Sequence, residues 1–157
     1  MQMIGSIFAG GGKPGDFGWM IEQSEYDDAL FIFNDNEEQF LAFRKTPKGR
    51  HACERGGGNA IIRPYQCKDP QRATGIPTGA NQRGYTDRTA HVKEMIDDAV
   101  ASIRHLVSTG RYQRVFYSAA NLAGDLGTGI FDVGNDVKSY IVAEIKMLGD
   151  VKAALRP

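Results

Sequence analysis

The sequence lacks long apolar runs, and its amino-terminal residues do not resemble a signal peptide. No apolar segment approaches the roughly 20 residues that a membrane-spanning helix requires. Residues 1–5 contain neither a basic region nor a long apolar stretch. We therefore expect neither a signal peptide nor a membrane partner.

The sequence also lacks a charge excess and has little cysteine. The 19 basic residues balance the 19 acidic ones, which argues against a general nucleic-acid binder. A small anionic ligand remains compatible with this balance, because a pocket can use backbone dipoles in place of side-chain charge. Cys53 and Cys67 are too few for a disulfide scaffold, so we predict reduced thiols and a cytoplasmic location.

What is present indicates one folded domain. A chain of 157 residues with 41% hydrophobic residues suits a single globular domain, here taken as residues 1–157. Apolar strands are predicted at residues 3–8, 29–33, 73–79 and 114–118. The strongest helix signal covers residues 89–108, where Val92, Ile96, Val100, Ile103 and Val107 form one apolar stripe.

Further helices are predicted after a cap at Asp16, at residues 40–45 and at residues 133–148. Residues 46–55 are predicted to be loop, residues 81–87 a polar loop or lid, and residues 151–155 a last turn. Alternation of strands with helices predicts an α/β fold with three layers, α/β/α, around a mixed or largely parallel sheet.

The clearest functional signal is a glycine-rich loop at residues 126–131, between a predicted strand and a predicted helix. Glycine lets backbone N–H groups approach a ligand closely, and the following helix adds its positive end. We therefore predict that this loop binds phosphate or a similar anion. Asp125, directly before it, opposes phosphate binding unless it points away, binds a ribose hydroxyl or acts as a base.

Two other segments are predicted to accompany this loop. Gly56, Gly57 and Gly58 form a run that precedes a short helical segment ending at Pro64, and a tight turn does not need three glycines. Asn34, Asp35 and Asn36 follow a buried strand, where ligand groups gather at the carboxyl edge of α/β sheets. The alternative for these three polar residues is a turn or a helix cap.

Two weaker candidates also occur. Residues 9–15 are glycine-rich but lack the Gly-Lys-Ser/Thr of a Walker motif. The loop from Gly10 to Gly15 is nevertheless the alternative phosphate site, in a Rossmann-like nucleotide-binding protein. His51, Cys53 and Cys67 lack an evident fourth ligand, and we predict no metal site.

In their order along the chain, these motifs resemble the macrodomain family. The resemblance covers about residues 28–148: an Asp-Ala-apolar strand ending in asparagines, the glycine run, the strand at residues 73–79, and the loop Gly-Thr-Gly-Ile-Phe. It implies a pocket in which the second loop holds the diphosphate of ADP-ribose and Phe131 packs near the distal ribose. The family's early aspartate, which binds adenine, has no counterpart at residues 4–7, and Asp16 lies later in a different context.

We therefore predict a protein that binds, and in one version hydrolyses, ADP-ribose or a related nucleotide derivative without a cofactor. In a hydrolase, Asp35 or Asp125 is the base that activates water. The alternatives are a sensor or sequestering protein without catalysis, and the Rossmann-like site. The predicted ligand-binding residues are Asn34, Asn36, Gly56, Gly57, Gly58, Asn59, Gly127, Thr128, Gly129, Ile130 and Phe131.

Overall fold

The sheet is mixed and mostly parallel, with five strands in the order β1-β5-β2-β3-β4. The structure is a computed structural model that describes residues 1–151. Only the short β4 runs antiparallel to its neighbour, β3. The strands are β1 (Gln2–Ile7), β2 (Ala29–Asn36), β3 (Ala73–Ala80), β4 (Arg83–Gly84) and β5 (Arg114–Ala119). The predicted α/β class is confirmed.

Helices connect the parallel strands. The longest confirms its sequence signal, because Thr89 caps it by accepting a hydrogen bond from the N–H of Val92. The α-helices are α1 (Phe17–Met20), α2 (Glu37–Lys45), α3 (Arg50–Cys53), α4 (Ala90–Ser108) and α5 (Asn135–Leu148), and 3₁₀ helices span Ser24–Tyr26 and Gly58–Cys67. None of these helices, within residues 1–151, is long and apolar enough to cross a membrane.

Strand β2 contributes alternate residues to two hydrophobic clusters. Leu30 and Ile32 belong to a cluster with buried residues of α4 and α5. Phe31 and Phe33 belong to a second cluster, with α1 and the Gly58–Cys67 helix. This arrangement explains the continuous apolar run in the sequence, since a strand covered on both faces has no polar side.

Strand β2 is longer than the sequence predicts, because its polar end stays in the sheet. Asn34 pairs with Ile76 and Asp35 with Pro77, and the register shifts between Asp35 and Asn36. Asn36 then caps α2 by accepting a hydrogen bond of 2.8 Å from the N–H of Gln39. The helix cap considered as an alternative for this segment is therefore present.

Residues 46–67 depart further from the sequence prediction. The predicted loop contains α3, and the helical segment continues past Pro64 to Cys67. Its end is fixed by the Gln66 side chain, whose Nε2 donates to the Ala52 oxygen at 2.6 Å. Cys53 and Cys67 form a disulfide with their Cα atoms 6.0 Å apart, so the prediction of reduced thiols was wrong.

The segment predicted as a polar loop after β3 is a tight hairpin. Asn81 and Gln82 have positive φ angles of 52° and 63°, a region that asparagine adopts more readily than most residues with a side chain. Tyr85, which follows β4, is buried. The predicted last turn at residues 151–155 lies, from residue 152 onward, outside the described residues.

Candidate functional site

A cavity of about 1440 Å³ opens at the carboxyl ends of the parallel strands. Small-molecule sites in α/β proteins favour this edge of the sheet. The cavity brings together the three predicted segments, although Asp125 does not line it. The predicted residues on its wall are Asn34, Asp35, Asn36, Gly56, Gly57, Gly58, Asn59, Gly127, Thr128, Gly129, Ile130 and Phe131.

The loop at residues 127–131 carries unpaired backbone donors. Its first amide, that of Gly127, donates to the Ser118 oxygen at 2.9 Å. The N–H groups of residues 128–131 donate to no acceptor among the described residues. A β-carbon added to Gly129 would meet no atom within 4 Å, so this backbone lies open. Free amides on a cavity wall are suited to binding an anion.

The three consecutive glycines are constrained by close neighbours or by their backbone angle. A β-carbon on Gly56 would lie 2.8 Å from Nη1 of Arg63, and one on Gly57 would lie 2.9 Å from Cδ1 of Ile130. Gly58 has a φ of +58°, in the region that favours glycine. The close approach of Ile130 to Gly57 brings the two glycine-rich segments into contact.

Two of the predicted asparagines hold chain segments in place. The Nδ2 of Asn34 donates to the Gly127 oxygen at 2.7 Å, which ties β2 to the loop at residues 127–131. The side-chain oxygen of Asn36 is occupied as the cap of α2. These bonds leave lone pairs on both side-chain oxygens for a ligand, since an amide oxygen has two.

Asn59 connects three distant parts of the chain. Its Oδ1 accepts from the N–H of Phe17 at 3.0 Å. Its Nδ2 donates to the Gly15 oxygen at 3.3 Å and to Oγ of Ser118 at 3.0 Å. Both amide hydrogens are therefore used within the protein, and Asn59 acts on the site by placing its neighbours.

Asp35 forms a buried ion pair. Nη2 of Arg63 donates to its Oδ1 at 2.6 Å, and the two side chains are 1% and 4% exposed. Burial raises the pKa of the Asp35 carboxyl above its ordinary value of 3.8, and the Arg63 guanidinium and the Asn36 N–H oppose this shift only in part. The second oxygen, Oδ2, has no hydrogen-bond partner in the described structure.

Asp125 lies in an exposed turn outside the cavity wall. Its Oδ2 accepts from Nδ2 of Asn121 at 2.9 Å, and its backbone oxygen accepts from the Ala120 N–H at 2.7 Å. Its carboxylate is therefore bonded within this turn and is not part of the cavity wall. The structure does not bring Asp35 and Asp125 together.

Several polar residues on the cavity wall were not predicted from the sequence. Asp16 lies there, with Oδ2 accepting from the Gly12 N–H at 2.9 Å and Oδ1 from the Trp19 N–H at 3.4 Å. Ser6 and Ser118 lie near the carboxyl ends of two apolar strands and line the cavity. A polar residue at that end of an apolar strand is the sequence signal that could have identified them. Arg63 and Glu38 also line the cavity.

The weaker candidates remain weak in the structure. From the glycine-rich residues 9–15, only Gly11 reaches the cavity wall. Cys53 and Cys67 are bonded to each other, and no group of three or more metal-binding side chains occurs among residues 1–151. Comparison with protein-family models, with curated proteins and with solved structures gave no match.

Proposed function

We propose that the cavity binds ADP-ribose or a closely related nucleotide derivative. The observation that carries this proposal is the row of unpaired amides at residues 128–131 on the wall of a large cavity. An acceptor-rich diphosphate satisfies several such donors at once, and the absence of a neighbouring side chain at Gly129 leaves room for it.

The remaining parts of the ligand are assigned by chemistry. Phe131 lies against Gly79, where an added β-carbon would be 2.8 Å from its ring, and it offers an apolar surface to the distal ribose. The oxygens of Asn34 and Asn36 accept from ribose hydroxyls. For the base of the nucleotide, Asp16 offers a carboxylate to an amino group. The exposed Phe8 and Ile61 offer apolar surface to the ring of the base.

The macrodomain-like, three-layer arrangement is part of the same proposal. Its support is that each face of β2 packs in its own hydrophobic cluster. One cluster includes α4 and α5, and the other includes α1 and the Gly58–Cys67 helix. Contact of the glycine run with the loop at residues 127–131 adds to that support.

Binding without hydrolysis is favoured by the two proposed bases. Oδ1 of Asp35 is paired with Arg63, its unpartnered Oδ2 is buried, and Asp125 lies outside the cavity wall, so neither carboxylate presents an accessible oxygen to a water beside the ligand. We therefore propose a sensor or sequestering protein first and a hydrolase second. Incubation with ADP-ribose derivatives, followed by chromatography, decides between them. Product formation that is lost in Asp125→Ala, or in Asp35→Ala while that variant remains folded, would reverse this order.

Thermal shifts with ADP-ribose, NAD, AMP and cyclic nucleotides test the binding itself. A ligand at 100 times its Kd stabilises the folded protein by about 2.7 kcal/mol, so micromolar binding is visible at millimolar concentration. A panel without any shift refutes the proposal.

Paired variants test the location. Gly129→Glu places a negative charge beside the free amides and should abolish binding, whereas the uncharged Gly129→Gln, of nearly equal size, should weaken it less. Gly11→Glu tests the Rossmann-like alternative, since residues 9–15 would then carry the phosphate site. Loss of binding in Gly11→Glu with full binding in Gly129→Glu would favour that alternative.

A further inference from the structure

The hydrogen bonds of Asn59 determine the orientation of its amide. Oδ1 must be the atom that faces the Phe17 N–H, because only an oxygen can accept that bond at 3.0 Å. The Gly15 carbonyl requires a donor on the other side, at 3.3 Å. Nδ2 is therefore the atom 3.0 Å from Oγ of Ser118.

This orientation fixes the role of the Ser118 hydroxyl. Since Nδ2 of Asn59 has no lone pair to offer, Ser118 Oγ accepts from it, and the Ser118 hydrogen cannot point back at Asn59. No acceptor among residues 1–151 receives that hydrogen. Ser118 is half-buried and lines the cavity, so its hydroxyl is left to donate there.

Ser118 is also hydrogen-bonded to the loop that carries the free amides. Its backbone oxygen accepts the hydrogen bond from the Gly127 N–H at 2.9 Å, at the start of the loop. Ser6 is its register partner on β1, at the separation of about 4.8 Å between neighbouring strands. Ser6 also lines the cavity, but no side-chain donor among residues 1–151 restrains its hydroxyl.

We propose that Ser118 is a ligand-binding residue whose hydroxyl, oriented by Asn59, donates to a phosphate oxygen of the ligand. It extends the amides of residues 128–131 by one side-chain donor. Together these groups select an acceptor-only group, such as a pyrophosphate oxygen, over a sugar hydroxyl. This inference rests on the proposed binding of a nucleotide diphosphate and assigns its specificity to a residue outside the loop.

Calorimetric titration with ADP-ribose and with inorganic pyrophosphate tests the role of Ser118. Ser118→Ala should weaken both by about tenfold or more, because a hydrogen bond to a charged group contributes in that range. Ser118→Thr keeps the hydroxyl and should stay within about threefold of the wild type. Ser6→Ala removes the unrestrained hydroxyl of the neighbouring strand in the same cavity and should weaken binding less than Ser118→Ala does.

The outcomes separate this inference from the function on which it rests. If the wild type binds neither probe, the proposed function is refuted and Ser118 loses its role with it. If the wild type binds and Ser118→Ala binds equally well, only the role of Ser118 is refuted. The melting temperature of each unliganded variant controls for structure. A Ser118→Ala loss of affinity that Ser118→Thr does not restore, accompanied by a lower melting temperature, also overturns the inference.

Discussion

Arg63 reaches back across the cavity wall to Asp35, and Nη2 of the arginine lies 2.6 Å from Oδ1 of the aspartate. Nη1 of the same guanidinium donates to the Glu54 oxygen at 3.0 Å. Glu54 precedes the glycine run and Arg63 follows it, so this one side chain ties both flanks of the run to β2. Asp35, predicted from the sequence as a base, is placed here as the anchor of that fastening.

Removal of either partner should destabilise the protein strongly. Asp35→Asn or Arg63→Met leaves one buried charge without its counter-ion, which costs about 3–5 kcal/mol in free energy of unfolding. Urea denaturation measures this loss. Asp28→Asn is the matched control, because its 2.8 Å pair with Arg114 is partly exposed and should contribute less than about 1 kcal/mol. Equal losses in the two pairs would contradict the burial argument.

The same carboxyl should make stability depend on pH. Because burial raises the folded-state pKa of Asp35 above 3.8, the folded state holds this proton more tightly than the unfolded state does. Its contribution to stability is complete below pH 3.8 and is lost as the pH rises through the folded-state pKa. Denaturation at several pH values, with Asp35→Asn as reference, measures it. A wild type that gains stability over Asp35→Asn as the pH rises in this window would give the opposite sign.

The disulfide should stabilise both the fold and the cavity wall. Cys53 and Cys67 are 14 residues apart and enclose the glycine run, Asn59 and Arg63. Closing a loop of about 15 residues stabilises a protein by roughly 3 kcal/mol. We expect a phosphine reductant to lower the melting temperature and to weaken binding of ADP-ribose. The variant with serine at both positions should have the melting temperature and affinity of the reduced wild type, and the reductant should change neither value. A reductant effect that persists in that variant would exclude the disulfide as its cause.

The cap of α4 gives a prediction independent of the cavity. Thr89→Ala removes the acceptor of the Val92 N–H and should lower the free energy of unfolding by about 1 kcal/mol. Ser102, whose exposed hydroxyl donates to the Asp98 oxygen within the same helix, supplies the control. Ser102→Ala should change stability by no more than about 0.5 kcal/mol. Affinity for ADP-ribose should be unchanged in both variants.

How much the sequence reveals depends on the range of each interaction. Helix α4 was predictable because its cap and apolar stripe are local, and the apolar core of β2 was predictable from a continuous run of residues. The partners of Asp35 and Ser118 lie 28 and 59 residues away along the chain. No local pattern encodes such pairs. The sequence therefore pointed to the segments around the cavity, but it did not reveal the ion pair of Asp35 and passed over Ser118.

The glycine run at residues 56–58 also differs from what its local sequence suggests. It has the composition of a hinge, yet each position is restricted by something different: Arg63 at Gly56, Ile130 at Gly57 and the backbone angle at Gly58. A side chain would disturb the buried ion pair at the first, the contact between the two loops at the second and the chain path at the third. A substitution at each of the three adjacent positions should therefore produce a different defect, and Ile130 is the one neighbour that Gly57 and Gly58 share.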